Sequence, residues 1–158
     1  MSSRRGASIK IFLPNGSTDG IWAVDLSNWT GHALVAPRSS FLDLMAREEL
    51  NGPGVYVLVG PGESAAKSTR IYVGEADVLR TRLKQQQGDK DFWTRVIIFT
   101  ARDASFNKAR VKYIESRLIE MAIEFGRVEV ANSATPKRLL GSQRGLIVSS
   151  NDQLGLPA

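Results

Sequence analysis

The chain has 158 residues, 42% of them apolar, and a formal net charge of +5. Its length suits one compact domain with a sizeable core, and its positive balance suits a polyanionic partner such as nucleic acid. The absence of cysteine excludes disulfides and thiolate–zinc sites, and a single histidine, His32, excludes a multi-histidine metal centre within one chain.

Met1–Lys10 holds no apolar stretch of signal-peptide length, and runs such as Val55–Val59 and Val96–Phe99 are too short to span a bilayer. A cytoplasmic protein without membrane association is therefore expected. Residues 1–7, with Arg4 and Arg5, are expected to form a mobile basic tail. Ile9–Leu13, Ile21–Leu26 and His32–Ala36 read as three short strands of a meander, separated by the turn signals Asn15-Gly16, Asp19-Gly20, Asn28 and Gly31. Trp22 and Trp29 are expected to cover its face, and His32 to be a turn or surface histidine rather than a ligand. Ser39 or Ser40 offers an N-cap for a helix through Leu50, which Asn51-Gly52-Pro53-Gly54 would end.

Val55–Val59 and Arg70–Val73 read as two strands joined by the loop Gly60–Thr69. Asp77 can cap a helix from Val78 to about Gln87, and Trp93–Thr100 is apolar enough to be a central strand. Asn107 or Ser105 can start a long helix through Phe125, with Gly126 as its stop. Beyond Val130 the periodicity is lost.

Two charged residues fall on faces that the apolar pattern marks as buried. At about 100° per residue, Val111, Ile114, Leu118, Ala122 and Phe125 define the apolar arc of the long helix, and Glu115 projects inside it. In the shorter helix Arg82 projects between Val78 and Leu79, whereas Arg80 points away and reads as a solvated arginine; Gln86 shares the side of Arg82. Burying a charge is costly unless it is paired or bound to an ion. Arg82 and Glu115 either pair inside the core, or they face a cleft that takes an anion at Arg82 and a metal at Glu115.

Gly54-Val55-Tyr56 followed by Tyr72-Val73-Gly74 resembles the paired signature of the GIY-YIG nuclease family. The segment Tyr72–Leu83 extends the match, and Tyr113-Ile114-Glu115-Ser116-Arg117-Leu118 resembles the family's metal-binding helix. Ser27–Gly31 and Asp91-Phe92-Trp93 further resemble a bacterial subgroup of GIY-YIG domain proteins. The resemblance implies catalytic roles for Tyr56, Tyr72, Arg82 and Glu115, with Tyr56 activating or positioning water, Tyr72 fixing the phosphate and Glu115 holding one Mg²⁺ or Mn²⁺ ion. It also implies substrate contacts from Gly74, Gln86 and Asn132, and Lys112 lies on the Glu115 side of its helix, where its charge could act on the site.

The implied fold is α+β: a small three-stranded, mostly antiparallel sheet flanked by helices, with an N-terminal β-meander extension. Residues 1–50 would form the meander and a helix packed on the core, residues 51–133 the nuclease-like core, and residues 134–158 a C-terminal tail. The implied activity is metal-dependent endonucleolytic hydrolysis of phosphodiester bonds, with DNA favoured. Gln86 departs from the histidine or tyrosine that many members place there, and an amide cannot act as a general base. The alternative is therefore a weakened member that binds nucleic acid or a partner without cutting.

Overall fold

The computed structural model describes residues 5–132; Arg4 and the expected tail 134–158 lie outside them. The meander forms as expected, from β1 (Ile9–Phe12), β2 (Trp22–Leu26) and β3 (Gly31–Pro37). It is not an appendage to a three-stranded sheet, however. β3 pairs antiparallel with β6 (Arg95–Ala101), with Leu34 opposite Ile98, and β6 pairs on its other edge with β4 (Gly54–Pro61). One seven-stranded sheet results, in the order β1-β2-β3-β6-β4-β5-β7, where β5 is Thr69–Ala76 and β7 is Val128–Val130. All neighbours are antiparallel except β5 and β7.

The alternation of β4 explains how this sheet is covered. Tyr56 and Leu58 enter a core with Leu34, Leu44, Leu79, Leu83 and Trp93, while Val55 enters a second core with Val73, Val111 and Ile119. The first core takes α1 (Phe41–Met45) and α2 (Leu79–Asp89); the second takes α3 (Lys108–Phe125). Strands clothed on both faces read as near-continuous apolar runs, which β4 and β6 are. Among the described residues no helix is long and apolar enough to cross a membrane.

Several local expectations are corrected. The helix expected through Leu50 stops at Met45, and Glu48–Asn51 forms a 3₁₀ turn after an extended Arg47. Leu44 and Leu50 are both fully buried, and a continuous helix would turn them about 120° apart, so the break lets both reach the core. Arg80, expected to be solvated, donates to the carbonyls of Met45 (2.9 Å) and Arg47 (2.7 Å) and to the Asn51 side chain, closing that broken end. Asp77 does not cap α2. Val78 is the N-cap residue, in extended conformation, and the Leu79 N–H donates to the Gly52 carbonyl instead.

For α3 the expectation holds: the Asn107 side chain accepts from the Arg110 N–H, and Gly126 ends the helix in the left-handed region at φ 72°. Trp29 is half-exposed and lies over Gly31; the fully buried tryptophan is Trp93. His32 is buried and not at the surface, because it stands opposite Asp25 in the β2–β3 register. Its Nδ1 lies 2.7 Å from the Asp25 carboxylate and its Nε2 3.0 Å from that of Glu49.

Candidate active site

The β4–β5 register places Tyr56 directly opposite Gly74, and the tyrosine ring leans across that glycine. A methyl group at position 74 would collide with Cζ and Oη of Tyr56 and lie 2.9 Å from its Cε1. Gly74 therefore acts as the floor under the ring. Tyr72, two residues earlier on β5, brings its ring centroid to 6.3 Å from that of Tyr56. From α2, the Gln86 side-chain Nε2 donates to the Tyr56 hydroxyl at 2.9 Å, and both side chains are buried. The Lys90 ammonium lies 4.3 Å from the Tyr72 ring centroid. Arg82 and Gln86 lie four residues apart on α2, and Lys90 follows as its C-cap residue in extended conformation.

Burial pushes the Tyr56 phenol up to about 12, with Tyr72 adding to the shift and the Arg82 charge and Gln86 hydrogen bond opposing it. Burial also raises Tyr72, and the Glu115 carboxylate raises it further; Arg82 and Gln86 oppose. Glu115 on α3 and Arg82 on α2 thus both act on the same phenol. Glu115 is half-buried, in line with its projection into the apolar arc. Arg82 is exposed and not inward, with its Nη1 3.3 Å from the Glu75 carbonyl that accepts from it. A closed core ion pair does not describe an exposed guanidinium.

Two expected substrate residues are placed differently. Both amide atoms of Asn132 are committed to one backbone unit: Oδ1 accepts from the Val73 N–H at 3.0 Å and Nδ2 donates to the Val73 carbonyl at 2.6 Å. Asn132 braces β5. Lys112 donates to the Glu75 carboxylate at 2.9 Å, next to the backbone carbonyl that Arg82 engages. Tyr56, expected to activate water, has no exposed surface, whereas Tyr72 is partly open. Sequence reading missed Lys90, which lies beyond the last turn of α2, where helical spacing gives no signal.

A divalent ion can be tested against these donors. Among the described residues no group of three or more His, Cys, Asp or Glu side chains could hold a metal. Glu115 supplies one carboxylate, whose charge is felt at the Tyr72 phenol. That suits a hard ion such as Mg²⁺ or Mn²⁺, which keeps waters and binds through one or two carboxylates plus substrate phosphate; it does not suit an all-protein cage.

A cleft of about 770 Å³ runs past Asp25, His32, Arg47, Glu49 and Arg102, but these groups close on one another. The cluster around the two phenols is the better candidate. No family model matches the chain, and no curated protein or solved structure matches it.

Proposed function

We propose that the chain is a metal-dependent phosphodiesterase of the GIY-YIG type, cutting nucleic acid, with DNA as the favoured substrate. One observation carries this reading. Residues separated by up to 59 positions, from Tyr56 to Glu115, act on one pair of phenols from four different elements: β4, β5, α2 and α3. Convergence of a guanidinium, a carboxylate and two phenols suits stabilisation of a charged phosphoryl transition state.

The exposed Arg82 guanidinium would donate to a non-bridging phosphate oxygen, and Lys90 and Lys112 add positive field around it. Glu115 would hold one Mg²⁺ or Mn²⁺. When bound, such an ion supplies charge neutralisation on the phosphate and on the leaving oxygen. Water adds to phosphorus as the ester P–O bond breaks. Tyr72 takes the proton that the water loses while releasing its own hydroxyl proton to solvent, and solvent protonates the departing oxygen. Tyr72 fits this relay better than Tyr56, because only Tyr72 has a solvent side.

The test is cleavage of supercoiled plasmid and structured RNA with Mg²⁺ or Mn²⁺, comparing the wild type with Glu115→Ala. The expected loss is on the order of 100-fold or more, the scale seen when one group stabilising transition-state charge is removed. Cleavage that survives the substitution would remove Glu115 from the metal role. Salt-sensitive binding without any cleavage would instead support a binding module, a reading favoured by two phenols both held neutral.

A further inference from the structure

The N-terminal meander widens the sheet beyond the reach of the helix that covers its second face. Cross-strand register puts Ile11, Val24, Ala33 and Phe99 in one row and Trp22, Val35 and Ile97 in the next, all on the face where α3 lies. α3 packs chiefly on β4, β5 and β7, so among the described residues no helix lies over the β1-β2-β3-β6 half of that face. Ile11 is 50% exposed there, and Ile9 and Leu26, paired with each other in the register, are 67% and 38% exposed. Trp29 extends the patch. It follows Asn28, which is in the left-handed region at φ 67°, and its half-exposed indole lies over Gly31, where a methyl group would overlap it. None of these positions carries a charge. Soluble monomers rarely expose a large contiguous apolar patch, and one of this kind marks an interaction surface.

Charge and area select the occupant. The rows offer nothing to meet a phosphate or a charged peptide, whereas an uncharged apolar face is complementary to itself, as a two-fold contact requires. The surface of a sheet is matched by a second sheet, about 10 Å away with strands roughly 30° apart. Four strands at a spacing of about 4.8 Å span roughly 19 Å, and strands of four to seven residues run about 14–24 Å. That is roughly 400 Å² in plan on each copy and more along the side-chain contours, so two joined faces reach about 1,000 Å², the lower bound for a specific complex. We propose that this face is the contact between two copies of the chain, packed sheet on sheet about an axis near Val24 and Ala33, cross-strand partners on the two middle strands of the patch. The contact is independent of the hydrolytic reading above.

Sedimentation velocity on the intact chain tests this, over protein concentrations from about 1 to 500 µM. The wild type is expected to pass from monomer to dimer mass within that range. Added sulfate should shift the equilibrium toward dimer, because it strengthens apolar burial and screens the repulsion between two chains of net charge +5. Val24→Lys sets two ammonium groups against each other across the axis and is expected to stay monomeric throughout, as is Val24→Glu. An equimolar mixture of the two variants should recover the dimer, which only a contact between equivalent positions predicts. Val24 lies on the open face, so both variants should melt as the wild type does at low concentration. Should they fail to fold, Ile11→Ser at a half-exposed position is expected to weaken association by roughly tenfold or more.

A wild type that stays monomeric to the highest concentration overturns the inference, whatever else then occupies the face. Dimers that persist unchanged in folded Val24→Lys, or in Ile11→Ser, overturn it by placing the contact elsewhere. A mixture of the lysine and glutamate variants that stays monomeric removes the two-fold axis near Val24, and the proposed contact with it.

Discussion

Gly74→Ala tests the geometry on which the candidate site depends. Gly74 does not have a positive φ, so alanine meets no backbone penalty there and would ordinarily stabilise by about 0.4–1 kcal/mol through the unfolded chain. The obstacle is Tyr56, whose Cε1 would lie 2.9 Å from the new methyl and whose Cζ and Oη would lie closer still. Tyr56 has no exposed surface into which to retreat. Overpacking of this kind costs about 1–3 kcal/mol, and displacing the ring also forfeits the Gln86–Tyr56 hydrogen bond, about 1 kcal/mol more. The expected net destabilisation is roughly 2–3 kcal/mol, a fall in Tm on the order of 5–10 °C. The assay is a double-mutant cycle with Tyr56→Leu, read by urea and thermal denaturation. With the ring gone, Gly74→Ala should cost close to nothing, giving a coupling of about 2 kcal/mol. Equal cost in both backgrounds, or no cost in either, would refute the ring-over-glycine arrangement.

Tyr56 also predicts an alkaline instability. Its folded value of about 12 lies above the ordinary phenol value near 10, so between these limits the unfolded chain ionises first. Stability is then lost as pH rises through this window, by up to roughly 3 kcal/mol, and Tyr56→Phe should flatten the urea midpoint against pH from 10 to 12. An unchanged slope in that variant would place the titration elsewhere. Asn132→Ala is expected to leave the N–H and carbonyl of Val73 unpaired in a buried strand, costing about 2–4 kcal/mol by urea denaturation and speeding amide exchange at Val73. A change within about 0.5 kcal/mol would show that Asn132 braces nothing.

What the sequence could and could not reveal follows from the range of the interactions involved. Caps are local, so Asn107 and Gly126 marked both ends of α3 correctly. The apolar run of β6 revealed a central strand, but not its partners. Pairing of β3 with β6 joins segments some sixty residues apart, and no local pattern encodes that choice. β7 is three residues long, below what alternation can register. The Arg82 projection failed for a definite reason: it counted Val78 as part of the helix face. Val78 lies outside the helix and is 44% exposed, so the buried face is Leu79, Leu83 and Gln86, with Arg82 on its flank. Arg80 was misread because the carbonyls it serves belong to a helix break 33 to 35 residues away.

The edge of β5 connects these corrections to the site. Alternate residues of a strand direct their backbone groups to the same edge, so Ile71, Val73 and Glu75 face the side on which β7 lies. The ladder between β5 and β7 covers only Thr69–Ile71. Beyond it the same edge is served in turn by the Ala131 N–H on the Ile71 carbonyl, the Asn132 amide on both groups of Val73, and the Arg82 guanidinium on the Glu75 carbonyl. The strand edge is thus closed first by backbone, then by a side-chain mimic of backbone, and last by a cation. A guanidinium has five N–H donors in a rigid fork, and the Glu75 carbonyl engages one of them. The contact holds the group in place at the exposed rim, and on the proposed reading that would reduce the entropy lost when the remaining donors took hold of an anion. Lysine at this position would offer a single ammonium on a mobile stem, without a planar fork to bridge strand edge and phosphate.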